Sequence, residues 1–167
     1  MKYIKYSDSL ETLTLEQIND TKLVEAPNGE LVFFRKVSHI VCMENSVTCY
    51  DSGYRLLASF IIGEHRITTK DVDSFISVIQ FFNSLIGEPL LKLPNGNYVR
   101  RQDLGGFEEL YNGGIALFDH DAFIIDVVVA PRPAAIDMLL EELELCFEYF
   151  ICEGCYQPDW GEVYSRL

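Results

Sequence analysis

Two Pro-Asn-Gly tripeptides stand 67 positions apart in this chain, at residues 27–29 and 94–96. Asn and Gly both tolerate the positive φ that a tight turn requires, so Asn-Gly between β-prone runs predicts a hairpin. The flanking segments agree, because "KLVEAPNGELVFF" and "LLKLPNGNYV" both read as strand, turn and strand. The two tripeptides therefore place a hairpin at a similar position in each half of the chain.

A second pair of similar segments follows at nearly the same shift. "CYDSGYRLLASFII" and "LFDHDAFIIDVVVA" align at a shift of 68 positions, with Asp51 and Asp119 at the start of each turn. Each segment predicts a second hairpin, and each is followed by an amphipathic helix. The first helix is expected over residues 70–87 and the second over residues 134–152.

These patterns predict an α+β fold, in which antiparallel β-hairpins pack against two amphipathic helices and a short helix in "TLEQIND" precedes them. The strands come in hairpin pairs, which disfavours a parallel α/β fold. A single domain over residues 1–167 is expected, because no Pro- or Ser-rich linker divides the chain. Two interpretations of the similar halves stay open. One is a tandem duplication of a hairpin-hairpin-helix unit, over residues 21–87 and 88–154, and the other is an ordinary domain with two similar hairpins.

The composition favours a packed globular protein, since 49% of the residues are hydrophobic and 13% are aromatic. The N-terminal residues contain no apolar run of signal-peptide length, and no later segment is long enough to span a membrane. Five cysteines cannot all pair, which favours reduced thiols and a cytoplasmic protein. No cofactor is expected, because the chain has no nucleotide-binding or hydrolase motif.

The net charge of −13 is concentrated in the second half of the chain. Residues 1–84 carry 8 basic and 11 acidic side chains, whereas residues 85–167 carry 5 basic and 15 acidic ones. Between Gln102 and Ser165, fourteen acids are accompanied by one base, Arg132. This asymmetry is the most informative feature of the sequence for function.

Part of this acidity falls on the second predicted helix. Four acids, which we call the acidic row, recur there: Asp137, Glu141, Glu144 and Glu148. Their helical spacing places them on one face, with neighbouring carboxylates about 5–6 Å apart. Five apolar residues form the opposite stripe, which is expected to pack against the sheet: Ile136, Leu140, Leu143, Phe147 and Phe150. Like charges at this spacing cost a few tenths of a kcal/mol per pair, so stability alone would favour some lysines on that face.

The acidic row predicts a surface for a basic partner protein. We therefore expect a non-enzymatic acidic protein-binding module that blocks or neutralises a basic or nucleic-acid-binding protein, as immunity and anti-defence inhibitors do. Direct binding of nucleic acid is disfavoured, because so negative a surface repels phosphates. The alternative interpretation of the row is a solvated face that keeps the protein soluble.

Two other function classes stay open. One is a structural or assembly subunit that self-associates through exposed aromatic residues near Tyr156, Trp160 and Tyr164. The other is an enzyme with an acid/base or metal site at Asp119, His120 and Asp121, since carboxylates beside an imidazole suit both kinds of chemistry. Between two apolar runs, the same Asp-His-Asp tripeptide also reads as a hairpin turn.

A zinc site is a further hypothesis, because Cys152 and Cys155 have the C-x-x-C spacing and His39 and Cys42 offer two more ligands. A strand over "SHIVC" would point residues three apart to opposite faces, so His39 and Cys42 could not reach one ion together. Packed thiols are the better interpretation of these cysteines. Whether the four side chains converge on a metal stays open, as does the oligomeric state.

Overall fold

The structure, a computed structural model, describes residues 3–153 and 158–167, with side chains described for residues 3–147 and 158–167. The chain divides into two compact units, Met1–Leu90 and Leu91–Leu167, which we call unit 1 and unit 2. The boundary lies close to residue 87, where the first predicted repeat ends. A single domain over residues 1–167 stays a prediction.

The described residues form a mixed α+β fold with several antiparallel sheets and four α-helices, which confirms the predicted class. Unit 1 contains six strands and two helices: β1 (Tyr3–Lys5), α1 (Leu15–Asp20), β2 (Leu23–Glu25), β3 (Leu31–Phe33), β4 (His39–Cys42), β5 (Ser46–Tyr50), β6 (Leu56–Ile61) and α2 (Thr69–Leu85). Seven elements follow: β7 (Leu90–Lys92), β8 (Tyr98–Arg100), β9 (Gly106–Glu109), β10 (Gly114–Phe118), β11 (Ile124–Val129), α3 (Ile136–Glu153) and α4 (Trp160–Arg166).

Unit 1 is built from two sets of strands and the long helix α2. Strands β2 and β3 form the predicted antiparallel hairpin, while β1 pairs with β2 in parallel, which the sequence did not predict. Strands β4, β5 and β6 form an antiparallel meander. Helix α2 starts with a capping box, in which Thr68 and Asp71 each accept a hydrogen bond from the other's backbone N–H. This helix buries Phe75, Ile79 and Phe82 in the core of the unit.

From β7 to α3, the order of elements matches that from β2 to α2, and unit 2 has its own core. Strands β7 and β8 are neighbours in a sheet, β9, β10 and β11 form an antiparallel meander, and α3 packs against β9 and β10. Helix α4, which the sequence did not predict, contributes the buried Trp160, whose Nε1 donates a 2.7 Å hydrogen bond to the Lys92 carbonyl. That hydrogen bond satisfies the one polar atom of the indole ring.

The two Pro-Asn-Gly turns adopt the same local structure. The glycine of each tripeptide lies at positive φ, 88° in the first and 89° in the second. In each turn the asparagine Nδ2 donates to a strand carbonyl far along the chain, Asn28 to Ser59 at 3.0 Å and Asn95 to Val127 at 3.3 Å. Each asparagine therefore fastens its turn to the outer strand of the following meander.

The two meanders also share their register. Strand β4 pairs with β5 as β9 pairs with β10, and β5 pairs with β6 as β10 pairs with β11. The register shifts between Cys49 and Tyr50 in β5, and between Leu117 and Phe118 in β10. A bulge changes which face the following side chains occupy, so its recurrence keeps the inward and outward positions of the two meanders matched.

One buried amide joins α2 to the chain segment after β3. Asn83 is fully buried, and its Nδ2 donates 3.0 Å hydrogen bonds to the carbonyls of Phe34 and Ile79. Its Oδ1 has no hydrogen-bond partner among the described residues. Because the buried Phe34 carbonyl would be left without a hydrogen-bond partner if α2 moved away, the Asn83 amide is expected to hold the C-terminal part of α2 in place.

Replacing Asn83 by alanine should lower the free energy of unfolding by about 1–3 kcal/mol, because the Phe34 carbonyl loses its partner inside the core. Urea denaturation followed by circular dichroism measures the change. The control is Ser84→Ala at the next, exposed position of α2, which should change stability by less than about 0.5 kcal/mol. Equal effects of the two substitutions would show that the Asn83 hydrogen bonds contribute nothing.

Candidate functional site

Helix α3 is oriented by the apolar side chains that it buries in unit 2. Leu139, Leu143 and Cys146 are almost completely inaccessible and belong to the core of that unit. The ring of Phe147 meets that of Phe107 on β9 edge-on, with centroids 5.0 Å apart. These contacts fix the rotation of the helix about its axis and decide which residues face outward.

The predicted apolar stripe is found at three of its five positions. Ile136, Leu143 and Phe147 are buried, Leu140 is half-buried, and the side chain of Phe150 lies outside those that the structure describes. The buried face is centred on positions 139, 143 and 146, so it is rotated slightly from the predicted one.

Three members of the acidic row lie on the outward face of α3. Asp137, Glu141 and Glu144 are exposed, whereas the side chain of Glu148 lies outside the described ones. Among the described residues, none of these three carboxylates takes part in an ion pair or hydrogen bond. Unit 2 carries 5 basic and 14 acidic side chains, a net charge of −9. The three carboxylates therefore face solvent in a strongly negative unit.

Two residues that the sequence reasoning missed lie beside the row. Met138, which is 48% exposed, lines a shallow cavity of about 130 Å³ together with Glu141 and Arg166. Met138 follows Asp137 directly in the predicted helix, and this position could have indicated that its side chain lies beside the acidic row. Arg166 gave no such signal, because helix α4 was not predicted. The row therefore has an apolar side chain at its flank and one cation near its middle.

Other acids of unit 2 hold the fold together. The Asp126 carboxylate accepts hydrogen bonds from Asn95 at 3.0 Å and Asn97 at 2.8 Å, and Asp159 accepts one from the Glu162 N–H at the start of α4. These carboxylates have partners within the fold, which distinguishes them from the acidic row.

The Asp-His-Asp tripeptide forms the turn between β10 and β11. Asp119 Oδ1 accepts two 2.9 Å hydrogen bonds, from the backbone N–H groups of Asp121 and Phe123. His120 Nε2 lies 2.6 Å from the carbonyl oxygen of Gln102. The turn interpretation is therefore sufficient to explain why these residue types occur here.

The corresponding turn of unit 1 is built in the same way with different neighbours. Asp51 Oδ1 accepts 2.9 Å hydrogen bonds from the N–H groups of Gly53 and Arg55, at the same offsets along the chain. That turn has no histidine, so Asp51 accepts the backbone hydrogen bonds of its turn without an imidazole beside it. The enzyme hypothesis thus gains no support from the geometry at Asp119.

The cysteine and histidine residues give no metal cluster in the described part of the chain. His39 is buried in β4 and Cys42 is half-buried, and no group of three His, Cys, Asp or Glu side chains that could hold a metal ion occurs among the described residues. The side chain of Cys152 and the whole of Cys155 lie outside the described residues, so whether the four side chains converge on a metal stays open, and packed thiols stay the prediction. Cys42, Cys49 and Cys146 form no disulfide bond with one another.

The aromatic residues expected to mediate self-association are not displayed as predicted. Trp160 is buried, and Tyr164 is partly buried with its hydroxyl donating to the Val129 carbonyl at 2.8 Å. The prediction of exposed aromatics is wrong for Trp160, because α4 packs its ring into the core of unit 2. Tyr156 lies outside the described residues.

None of the described helices is long and apolar enough to cross a membrane. No protein-family model, no curated protein and no solved structure matches this chain. Function must therefore be inferred from the geometry and charge of the chain itself.

Replacing Asp119 by alanine should lower the free energy of unfolding by about 1–2 kcal/mol, because two N–H groups of the turn lose their acceptor. Asp51→Ala should have a similar effect in unit 1. Asn keeps the oxygen and loses the charge, so Asp119→Asn should recover more than half of the lost stability. Thermal and urea denaturation measure the stability of all three variants. An asparagine variant as unstable as the alanine variant would mean that the charge itself is needed, as in a metal or acid/base site.

Alkaline pH should destabilise the protein through two buried thiols. Burial is the main reason that the pKa values of Cys49 and Cys146 are each raised from 9.0 to about 12. The folded state therefore keeps both protons when the unfolded chain releases them. This contribution to stability is complete below pH 9.0 and is lost as the pH rises toward 12.

Urea denaturation between about pH 8 and about pH 10.5 tests this linkage. The double variant Cys49→Ala/Cys146→Ala should lose stability less steeply with pH than the wild type. The single variant Cys49→Ala, which keeps the buried thiol of Cys146, is the comparison and should show an intermediate slope. If the unfolding free energy fell equally steeply with pH in all three proteins, the alkaline loss of stability would not come from the two buried thiols.

Proposed function

We propose that this protein is a non-enzymatic acidic binding module, which uses the acidic row of α3 to block or neutralise a basic or nucleic-acid-binding protein. The observation that carries the proposal is the exposure of Asp137, Glu141 and Glu144 on one helix face, where none of the three forms an ion pair among the described residues. Glu148, at the next position of the same spacing, extends the proposed surface.

The chemistry of the row suits a cationic surface. Carboxylates spaced about 5–6 Å apart along a rigid helix present a line of negative charge to a groove that ordinarily receives phosphates. Charge complementarity of this kind raises the association rate and fixes orientation. Met138, exposed beside the row, adds an apolar contact that remains effective when salt screens the charges.

Occupying the groove of a nucleic-acid-binding protein would exclude its nucleic acid, which makes inhibition the expected consequence of binding. The protein itself is not proposed to bind nucleic acid, because phosphates are repelled by a unit of net charge −9. The odd number of cysteines, five, which cannot all pair with one another, supports a reducing, cytoplasmic location for this inhibitor.

We also propose that the chain arose by tandem duplication of a hairpin-hairpin-helix unit, and that its two amphipathic helices are α2 and α3. The matched bulges and the matched asparagine contacts of the two turns support this origin. After duplication, the helix of unit 2 acquired the acidic row, whereas α2 retained a lysine, Lys70, in its first turn.

Reversing the row should abolish partner capture while leaving the fold intact. In a pull-down from the native host at low ionic strength, the wild type should recover a strongly basic protein. The variant Asp137→Lys/Glu141→Lys/Glu144→Lys should lose it, with affinity reduced by tenfold or more in ~50 mM salt, because opposite charges become like charges. Titration calorimetry with the recovered protein gives the affinity.

The matched control reverses three exposed acids of unit 1, in Glu11→Lys/Glu44→Lys/Glu64→Lys, and so changes the net charge by the same amount. This control should still capture the partner. Equal loss in both variants would mean that only total charge matters, and retention in both would show that the acidic row is merely solvated.

A further inference from the structure

Unit 1 contains an apolar groove whose chemistry is opposite to that of the acidic row. It lies between α1, the segment after β3 and the C-terminal end of α2, and has a volume of about 550 Å³. We call it the unit 1 groove, and six of its residues define it: Leu15, Lys22, Phe33, Arg35, Phe82 and Leu85. Its volume falls within the range of roughly 300–1,000 Å³ that is typical of small-molecule sites.

The groove has an aromatic floor and an exposed apolar rim. Phe34 and Phe82 are buried at its base, with ring centroids 5.1 Å apart. At the rim, Leu15 is 74% exposed, Leu85 is 56% exposed and Phe33 is 46% exposed. Three large apolar side chains around one concavity give it a mainly apolar lining, which is typical of ligand pockets.

The charged residues of the groove are all basic. Lys22 and Arg35 are exposed and line it, and no acid is among the described residues that do so. Just outside, the Lys36 ammonium lies 5.1 Å from the centre of the Phe33 ring. The chain has 26 acids and only 13 bases, so a lining with two cations and no carboxylate runs against its overall composition.

We propose that the unit 1 groove binds a small amphipathic carboxylate, with the aliphatic chain against the phenylalanine floor and the carboxylate between Lys22 and Arg35. Burial of the chain supplies most of the affinity, since it removes apolar surface from water. The two cations select the anionic head group, because a guanidinium and an ammonium each donate charge-assisted hydrogen bonds to a carboxylate. Binding is reversible and involves no covalent step.

Decanoate and 1-decanol, compared by titration calorimetry in low salt, test this site. The two probes have the same chain and differ in the charged head group, and decanoate should bind more tightly. In the variant Lys22→Gln/Arg35→Gln, the affinity for decanoate should fall about fivefold to tenfold and that for decanol should stay unchanged. The matched control is Arg55→Gln/Lys70→Gln, which removes two exposed cations of unit 1 outside the groove and should retain wild-type affinity.

Methyl NMR spectra locate the bound chain. Decanoate should shift the methyl signals of Leu15, Ile18 and Leu85, which border the groove, and leave those of unit 2 unchanged. Failure of decanoate to bind, equal affinity in the neutralised and control variants, or shifts elsewhere would each overturn the proposal. So would self-association through the groove that decanoate does not displace, because the occupant would then be a second copy of the chain.

Discussion

The burial of one face of α3 is the constraint on which the functional interpretation depends. Leu139, Leu143 and Cys146 fill the core of unit 2 and leave the helix one rotation about its axis. That rotation sends Asp137, Glu141 and Glu144 to solvent together. Any other rotation of α3 would turn these carboxylates away from solvent and withdraw the apolar face from the core. The lost burial would cost several kcal/mol.

The two units differ more in net charge than in the order of their strands and helices. Unit 1 carries 8 basic and 12 acidic side chains, a net of −4, against −9 for unit 2, although the order of elements from β2 to α2 recurs from β7 to α3. Their surfaces differ accordingly. Unit 2 carries a row of exposed carboxylates, for which we propose a cationic macromolecule, and unit 1 carries an apolar groove with two cations, for which we propose an anionic amphiphile. A shared strand-and-helix order thus carries surfaces of different charge, because outward side chains can change while inward ones hold the core.

Local chemistry explains which elements could be predicted from the sequence. Asn-Gly turns, the Thr68 cap and the aspartate turns act through neighbouring residues, so their hairpins and helices were found. The parallel strand β1 and the short helix α4 are set by tertiary packing, such as the hydrogen bond from Trp160 to Lys92, which leaves no periodic signal. The acidic row was visible because it lies within one helix. The unit 1 groove was not, since Leu15, Phe33 and Phe82 come from three distant segments.

The central claim is that the acidic row is not needed by the fold and is kept at some cost to stability, as the proposed surface for an outside partner requires. Urea denaturation of Glu141→Gln/Glu144→Gln at low salt tests it most directly, since glutamine keeps the helix propensity and removes the repulsion. The account predicts a variant more stable than the wild type by about 0.5–1 kcal/mol, with a difference that shrinks at high salt. A variant less stable than the wild type would show that these carboxylates support the fold, and would contradict the account.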